Sequence, residues 1–141
     1  AALAVRPDAL AGTAPWLVAA AVLPWVAGFD VLYAMQDTEV DRRDGLHSMP
    51  SRLGERRAAW VARAMHACSV AALVALWRTD PDLGAWFGAA VVVSAAVIAM
   101  EHVLLAMGGA PRFARHFTTL NGIVSLALGG AGIASILAAR G

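Results

Sequence analysis

The chain has 141 residues, 60% hydrophobic and only 15% charged, with a mean hydropathy of +0.65. That is too apolar for an ordinary water-soluble domain and fits a membrane protein. A formal net charge of +1 gives no overall electrostatic case for nucleic acid, and the single cysteine excludes a disulfide within the chain.

Residues 1–5 are apolar and too short to span a bilayer. The opening on Ala1 predicts a processed product or a piece of a longer chain. No charged n-region or cleavage site marks a signal peptide. Arg6-Pro7-Asp8 predicts a turn. A long helix is expected over about 13–44, with an apolar part long enough to cross a membrane. Pro24 inside it either kinks the helix or is simply tolerated. Residues 49–57 form a polar connector punctuated by Pro50 and Gly54. The next helix is expected over about 58–77, and Cys68 within it reads as a small buried hydrophobe. Arg56, Trp60, Arg63 and His66 follow one face at steps of four, three and three. Arg63 and His66 either help bind an anion or do plainer work, snorkelling to headgroups and bonding a neighbouring helix. Arg78-Thr79-Asp80-Pro81-Asp82 predicts a turn, and a third helix is expected over about 83–107. Glu101 and His102 near its end are a functional candidate or an interfacial pair bonded to Arg112 or Arg115. Gly108-Gly109-Ala110-Pro111 predicts a break before a last helix over about 113–138. Its Asn121 either faces a cavity or makes an interhelical hydrogen bond. Gly129, Gly130 and Gly132 suit close helix approach. The fold class is therefore all-α, a polytopic membrane bundle of about four transmembrane helices.

Residues 30–48 carry the chemistry. On a continuous helix of about 100° per residue, Asp30, Tyr33, Asp37 and Asp41 share roughly an 80° stripe, with Glu39 opposite. Gly45 is the expected helix stop. Stacked carboxylates repel, and more so in low dielectric, so a buried stripe needs a cation. Hard oxygen ligands suit Mg²⁺, and Arg42, Arg43 and His47 suit a phosphate beside it. A solvated charge run at a helix end explains the same residues.

Arginine bias orients the bundle. Arg42, Arg43, Arg52, Arg56 and Arg57 share one loop, and Arg112 and Arg115 lie in another on the same side. Only Arg6, Arg78 and Arg140 fall opposite. The acidic loop is expected on the cytoplasmic face of the cell (inner) membrane.

Gly28-Phe29-Asp30, Tyr33-Ala34, Asp37-x-x-x-Asp41, Arg42-Arg43-x-Gly45, His47-Ser48 and Arg52-x-Gly54 span 27 consecutive positions. They resemble the second aspartate-rich motif of the UbiA-type intramembrane aromatic prenyltransferases. The resemblance implies Mg²⁺-dependent transfer of a prenyl group from a prenyl diphosphate to an aromatic acceptor. It implies catalytic roles for Asp30, Asp37 and Asp41, with Asp37 and Asp41 on Mg²⁺ directly or through water. It also implies that Arg43 and His47 face the diphosphate, with Tyr33, Ser48 and Asn121 on the substrates. His47-Ser48 resembles the branch that prenylates a dihydroxynaphthoate in quinone biosynthesis rather than the 4-hydroxybenzoate branch, where lysine is frequent.

One departure matters. The family carries a second aspartate-rich motif facing this one, and nothing like it occurs here. The chain is thus expected as the C-terminal part of a larger bundle of about nine helices. It would be inactive without the N-terminal helices, from the parent protein or a separate subunit. A CDP-alcohol phosphotransferase is a rival, but its Asp-Gly-x-x-Ala-Arg opening does not precede Asp37. An ion-transporting membrane module leaves Arg42, Arg43, His47 and Ser48 unexplained. A purely structural remnant is the third rival.

Overall fold

The structure, a computed structural model, describes the backbone at residues 11–108 and 110–140 and the side chains at 11–107 and 119–139. The expectations for residues 1–5, for Arg6-Pro7-Asp8, and for the side chains of Arg112, Arg115 and Arg140 lie outside the described residues. The described residues form α1 (Ala14–Ala34), α2 (Thr38–Arg43), α3 (Met49–Leu53), α4 (Glu55–Thr79), α5 (Ala85–Gly108) and α6 (Ala110–Arg140). Four helical stretches are long and apolar enough to cross a bilayer: Ala14–Ala34, Glu55–Thr79, Ala85–Met107 and Thr119–Ala139. The expected all-α membrane bundle is what the chain forms.

The long helices pair in order along the sequence. α1 packs on α4, α5 packs on α6 and more lightly on α4, and α6 approaches α1 at a few points. Small residues bring α1 and α4 together. Ala58 and Ala62 have no exposed surface and Ala59 very little, and they meet Phe29, Val31 and Leu32 in one core that also takes Ile98 and Leu105. Side chains this small let two backbones approach closely, which is how helices associate where lipid removes the hydrophobic drive. A second core joins Ala21, Leu73, Leu76, Phe87, Val91, Val124 and Leu128. Leu23, Trp86, Met107 and Leu126 stand outward, as side chains facing lipid can.

Two turns have clear local causes. The Asp82 N–H donates to the Asp80 carboxylate at 3.0 Å, an Asx turn that joins α4 to α5. At the same rim Trp77 donates Nε1–H to the Gly84 carbonyl at 3.2 Å. Its indole lies over Gly88, where an added Cβ would overlap the ring atoms Cζ2 and Cε2. Gly88→Ala should therefore destabilise the bundle by about 1–3 kcal/mol. Thermal unfolding in detergent measures this, and an unchanged midpoint contradicts it.

Two expectations need correction. The helix expected over 13–44 is interrupted after Ala34. Residues 35–37 tighten into short-range bonds: Met35 N–H to Leu32 O, Gln36 N–H to Tyr33 O and Asp37 N–H to Ala34 O. The Thr38 hydroxyl donates to the Met35 carbonyl at 3.1 Å, and Thr38 itself is buried. A threonine that bonds nearby backbone offers the chain an alternative to the helical ladder. Cys68 is exposed rather than buried. Bilayer hydrocarbon accepts a thiol as readily as a protein core does, so an apolar neighbourhood in sequence does not fix which way it points.

Candidate functional site

The interruption divides the acidic stripe. Asp30 lies on α1 and lines a cavity of about 550 Å³. The wall around it is almost wholly apolar, with Val22, Trp25, Phe29, Leu73, Phe87 and Leu128. Beyond the interruption, Asp37 stands at the start of α2 and Asp41 lies one turn on. Asp41 lines a separate hollow of about 210 Å³ with Arg42, Gly45, Leu46, His47, Ser51 and Arg52. Asp37 is exposed and lines neither. The single shared stripe of Asp30, Tyr33, Asp37 and Asp41 is thus replaced by a cavity group and a loop group. The cause is the loss of helical phase at 35–37. Among the described residues no three His, Cys, Asp or Glu side chains gather closely enough to hold a metal ion.

The loop is folded by its own polar groups. α2 stops where expected, at Gly45 with φ +71°. The Leu46 N–H returns to the Asp41 carbonyl at 2.7 Å, the six-to-one bond of a Schellman ending. Ser48 caps α3, accepting from the Ser51 N–H at 3.3 Å. The Ser51 hydroxyl donates to the Ser48 carbonyl at 2.9 Å and to the Leu46 carbonyl at 3.1 Å. These bonds hold His47 and Arg52 beside Asp41. Arg43, expected toward a phosphate, is instead paired with Asp44 at 2.9 Å and is exposed. Arg42 and Arg52 line the hollow in its place.

On the far wall of the large cavity, Asn121 accepts from Trp25 Nε1–H at 3.3 Å. Both expectations for Asn121 hold at once, since it lines the cavity and bonds across to α1. Phe117, one turn earlier, lies outside the residues whose side chains are described. Tyr33 is exposed at the end of α1. Arg63 sits over the Trp60 ring, 4.9 Å from its centroid, the packing expected of a rim arginine. His66 takes the plainer of its two roles. Its Nδ1 lies 2.9 Å from His102 Nε2 on α5, so one imidazole donates to the other. Sequence reasoning named both histidines without pairing them, named Gly28 only as part of a motif, and passed over Trp25. Nothing local could have found these: residues 36 and 96 apart leave no periodic pattern.

Glu101 is 2% exposed, and among the described residues neither carboxyl oxygen has a hydrogen-bond partner. A buried polar group without a partner costs about 1–3 kcal/mol. Glu101→Met, of similar length, should raise the thermal midpoint in detergent. A lowered midpoint would contradict this.

The described residues thus form a bundle of helices long and apolar enough to cross a membrane, with an acidic and basic loop at one end and an apolar cavity between helices. The chain belongs to the UbiA prenyltransferase family, whose model matches residues 1–123. Membership implies prenyl transfer to an aromatic acceptor, in general with Mg²⁺. No curated protein and no solved structure matches the chain.

Proposed function

We propose that this chain supplies one acidic face of a Mg²⁺-dependent aromatic prenyltransferase at the cytoplasmic side of a cell membrane. The acceptor proposed is a dihydroxynaphthoate of quinone biosynthesis, on the strength of His47-Ser48. The observation that carries the proposal is a juxtaposition along α1. Asp30 lines the apolar cavity, and about one helical turn later α1 ends and the chain enters a loop where Asp41 lies beside Arg42, His47 and Arg52.

Asp37 and Asp41 would hold one Mg²⁺, an ion that commonly takes one or two carboxylates and fills its shell with water and phosphate oxygens. When bound, the ion neutralises the diphosphate and makes it a better leaving group. The chain's own groups do the rest. Arg42, His47 and Arg52 offer N–H donors to the diphosphate oxygens, where negative charge grows as the bond breaks. The allylic C–O electron pair departs with the diphosphate. The aromatic ring bonds the allylic carbon, and its displaced ring proton passes to an oxygen of the departing diphosphate. Phe29, Leu73 and Phe87 are the buried apolar wall on the side of the allylic cation. Asp30, the acidic group of that wall, orients an acceptor hydroxyl, with Tyr33 and Asn121 as further contacts to the substrates.

The test uses membranes that carry the intact protein, a radiolabelled prenyl diphosphate, and dihydroxynaphthoate or 4-hydroxybenzoate. Product should form with Mg²⁺, vanish with chelator, and favour dihydroxynaphthoate. No transfer to either acceptor would sink the proposal.

A further inference from the structure

Below the loop, the two largest buried polar side chains are His66 and Glu101, each 2% exposed. The proposed chemistry uses neither, yet His66 is held from three sides. Its ring faces Gly28 of α1 so closely that an added Cβ would lie 2.5 Å from both Cδ2 and Nε2, and 3.3 Å from the Ala62 carbonyl. Phe29, the next residue, meets the same ring with centroids 4.3 Å apart at 55°. From α5, His102 Nε2 holds Nδ1 at 2.9 Å. α5 is itself anchored in this core through Ile98 and Leu105.

The two residues after the notch, Phe29 and Asp30, both line the large cavity. Gly28 and Asp30 are separated by about 3 Å of rise on a rigid helix, so a shift at the notch is a shift at Asp30. We infer that His66 is a positioning residue: its imidazole, tethered to His102 and seated against Gly28, fixes the place of Asp30 on the cavity wall. An aliphatic side chain could fill the same space but would lack the tether. Where water does not compete, a hydrogen bond of this kind can hold one rotamer. The inference rests on Asp30 orienting the acceptor in the proposed prenyl transfer.

Two measurements test it, one independent of activity. In a Cys68→Ala background, Asp30→Cys carries an environment-sensitive fluorophore. Gly28→Ala should shift its emission, and His66→Ala alone, which removes both the seat and the tether, should shift it as well. His102→Phe, which leaves the notch untouched, should also shift it. A folded Gly28→Ala chain with unchanged emission overturns the inference, as does unchanged emission in His66→Ala. If Gly28→Ala does not fold, His102→Phe decides, and unchanged emission there overturns it. With Asp30 intact, Gly28→Ala should raise the half-saturating concentration of the aromatic acceptor by about tenfold with kcat little altered, and His66→Ala should do likewise. Wild-type acceptor saturation in a folded Gly28→Ala chain overturns the role. Emission shifts as expected, with no Mg²⁺-dependent transfer by the unaltered protein, would sink the prenyl-transfer proposal and still support the placement of residue 30 by His66.

Discussion

Asp41→Asn in the intact protein should lower prenyl-transfer turnover by about 10²–10³-fold, the range seen when one preorganised electrostatic group is removed from a developing charge. Asp41 is the carboxylate of the loop hollow, half-buried and flanked by Arg42, His47 and Arg52. Asparagine keeps its shape and removes the charge that would hold a cation. Asp37→Asn, one turn earlier, should fall in the same range. The double variant should lose little more, because two groups serving one ion are not additive. Glu39→Gln is the control: Glu39 is exposed and lines neither cavity, so its turnover should stay within about threefold of wild type. Steady-state assays at saturating Mg²⁺ read all four. Wild-type turnover in Asp41→Asn would remove the loop from the chemistry.

This chain by itself, purified in detergent with Mg²⁺, a prenyl diphosphate and an aromatic acceptor, should show no turnover above the uncatalysed background. A diphosphate carries roughly three negative charges and needs more than one cation to neutralise it. Among the described residues no three ligand side chains converge, and the sequence holds a single aspartate-rich motif. The cavity wall adds a second reason. Val22 and Val26 line it yet remain 44% and 53% exposed, so that side of the cavity is open and a cation forming there would meet whatever surrounds the chain. Further helices bearing a second acidic motif should restore transfer. Robust turnover by this chain alone would show that one motif suffices.

Much of the bundle was legible because bilayer-length apolar runs leave few alternatives. Gly45 was legible for the same kind of reason, since a left-handed residue just past a charged helix end is a backbone requirement rather than a packing outcome. The interruption at 35–37 was not. It depends on the Thr38 hydroxyl reaching the Met35 carbonyl, and a threonine one turn past an apolar segment is just as common inside a continuous helix. Arg43 could not be placed because Asp44, its immediate neighbour, competes for it. The direction of Cys68 was illegible because lipid and protein interior solvate a thiol alike. The partners of His66 and Trp25 were illegible because they come from other helices.

The pairing of the long helices has a consequence for how the chain is made. α1 finds its main partner in α4, the next bilayer-length helix, and α5 finds its own in α6. Each hairpin can therefore close soon after its second span leaves the ribosome, without waiting for the spans that follow. Contacts that are local in sequence form early and cost little loop-closure entropy. A nascent chain stalled after Asp80 should already hold its first two spans together.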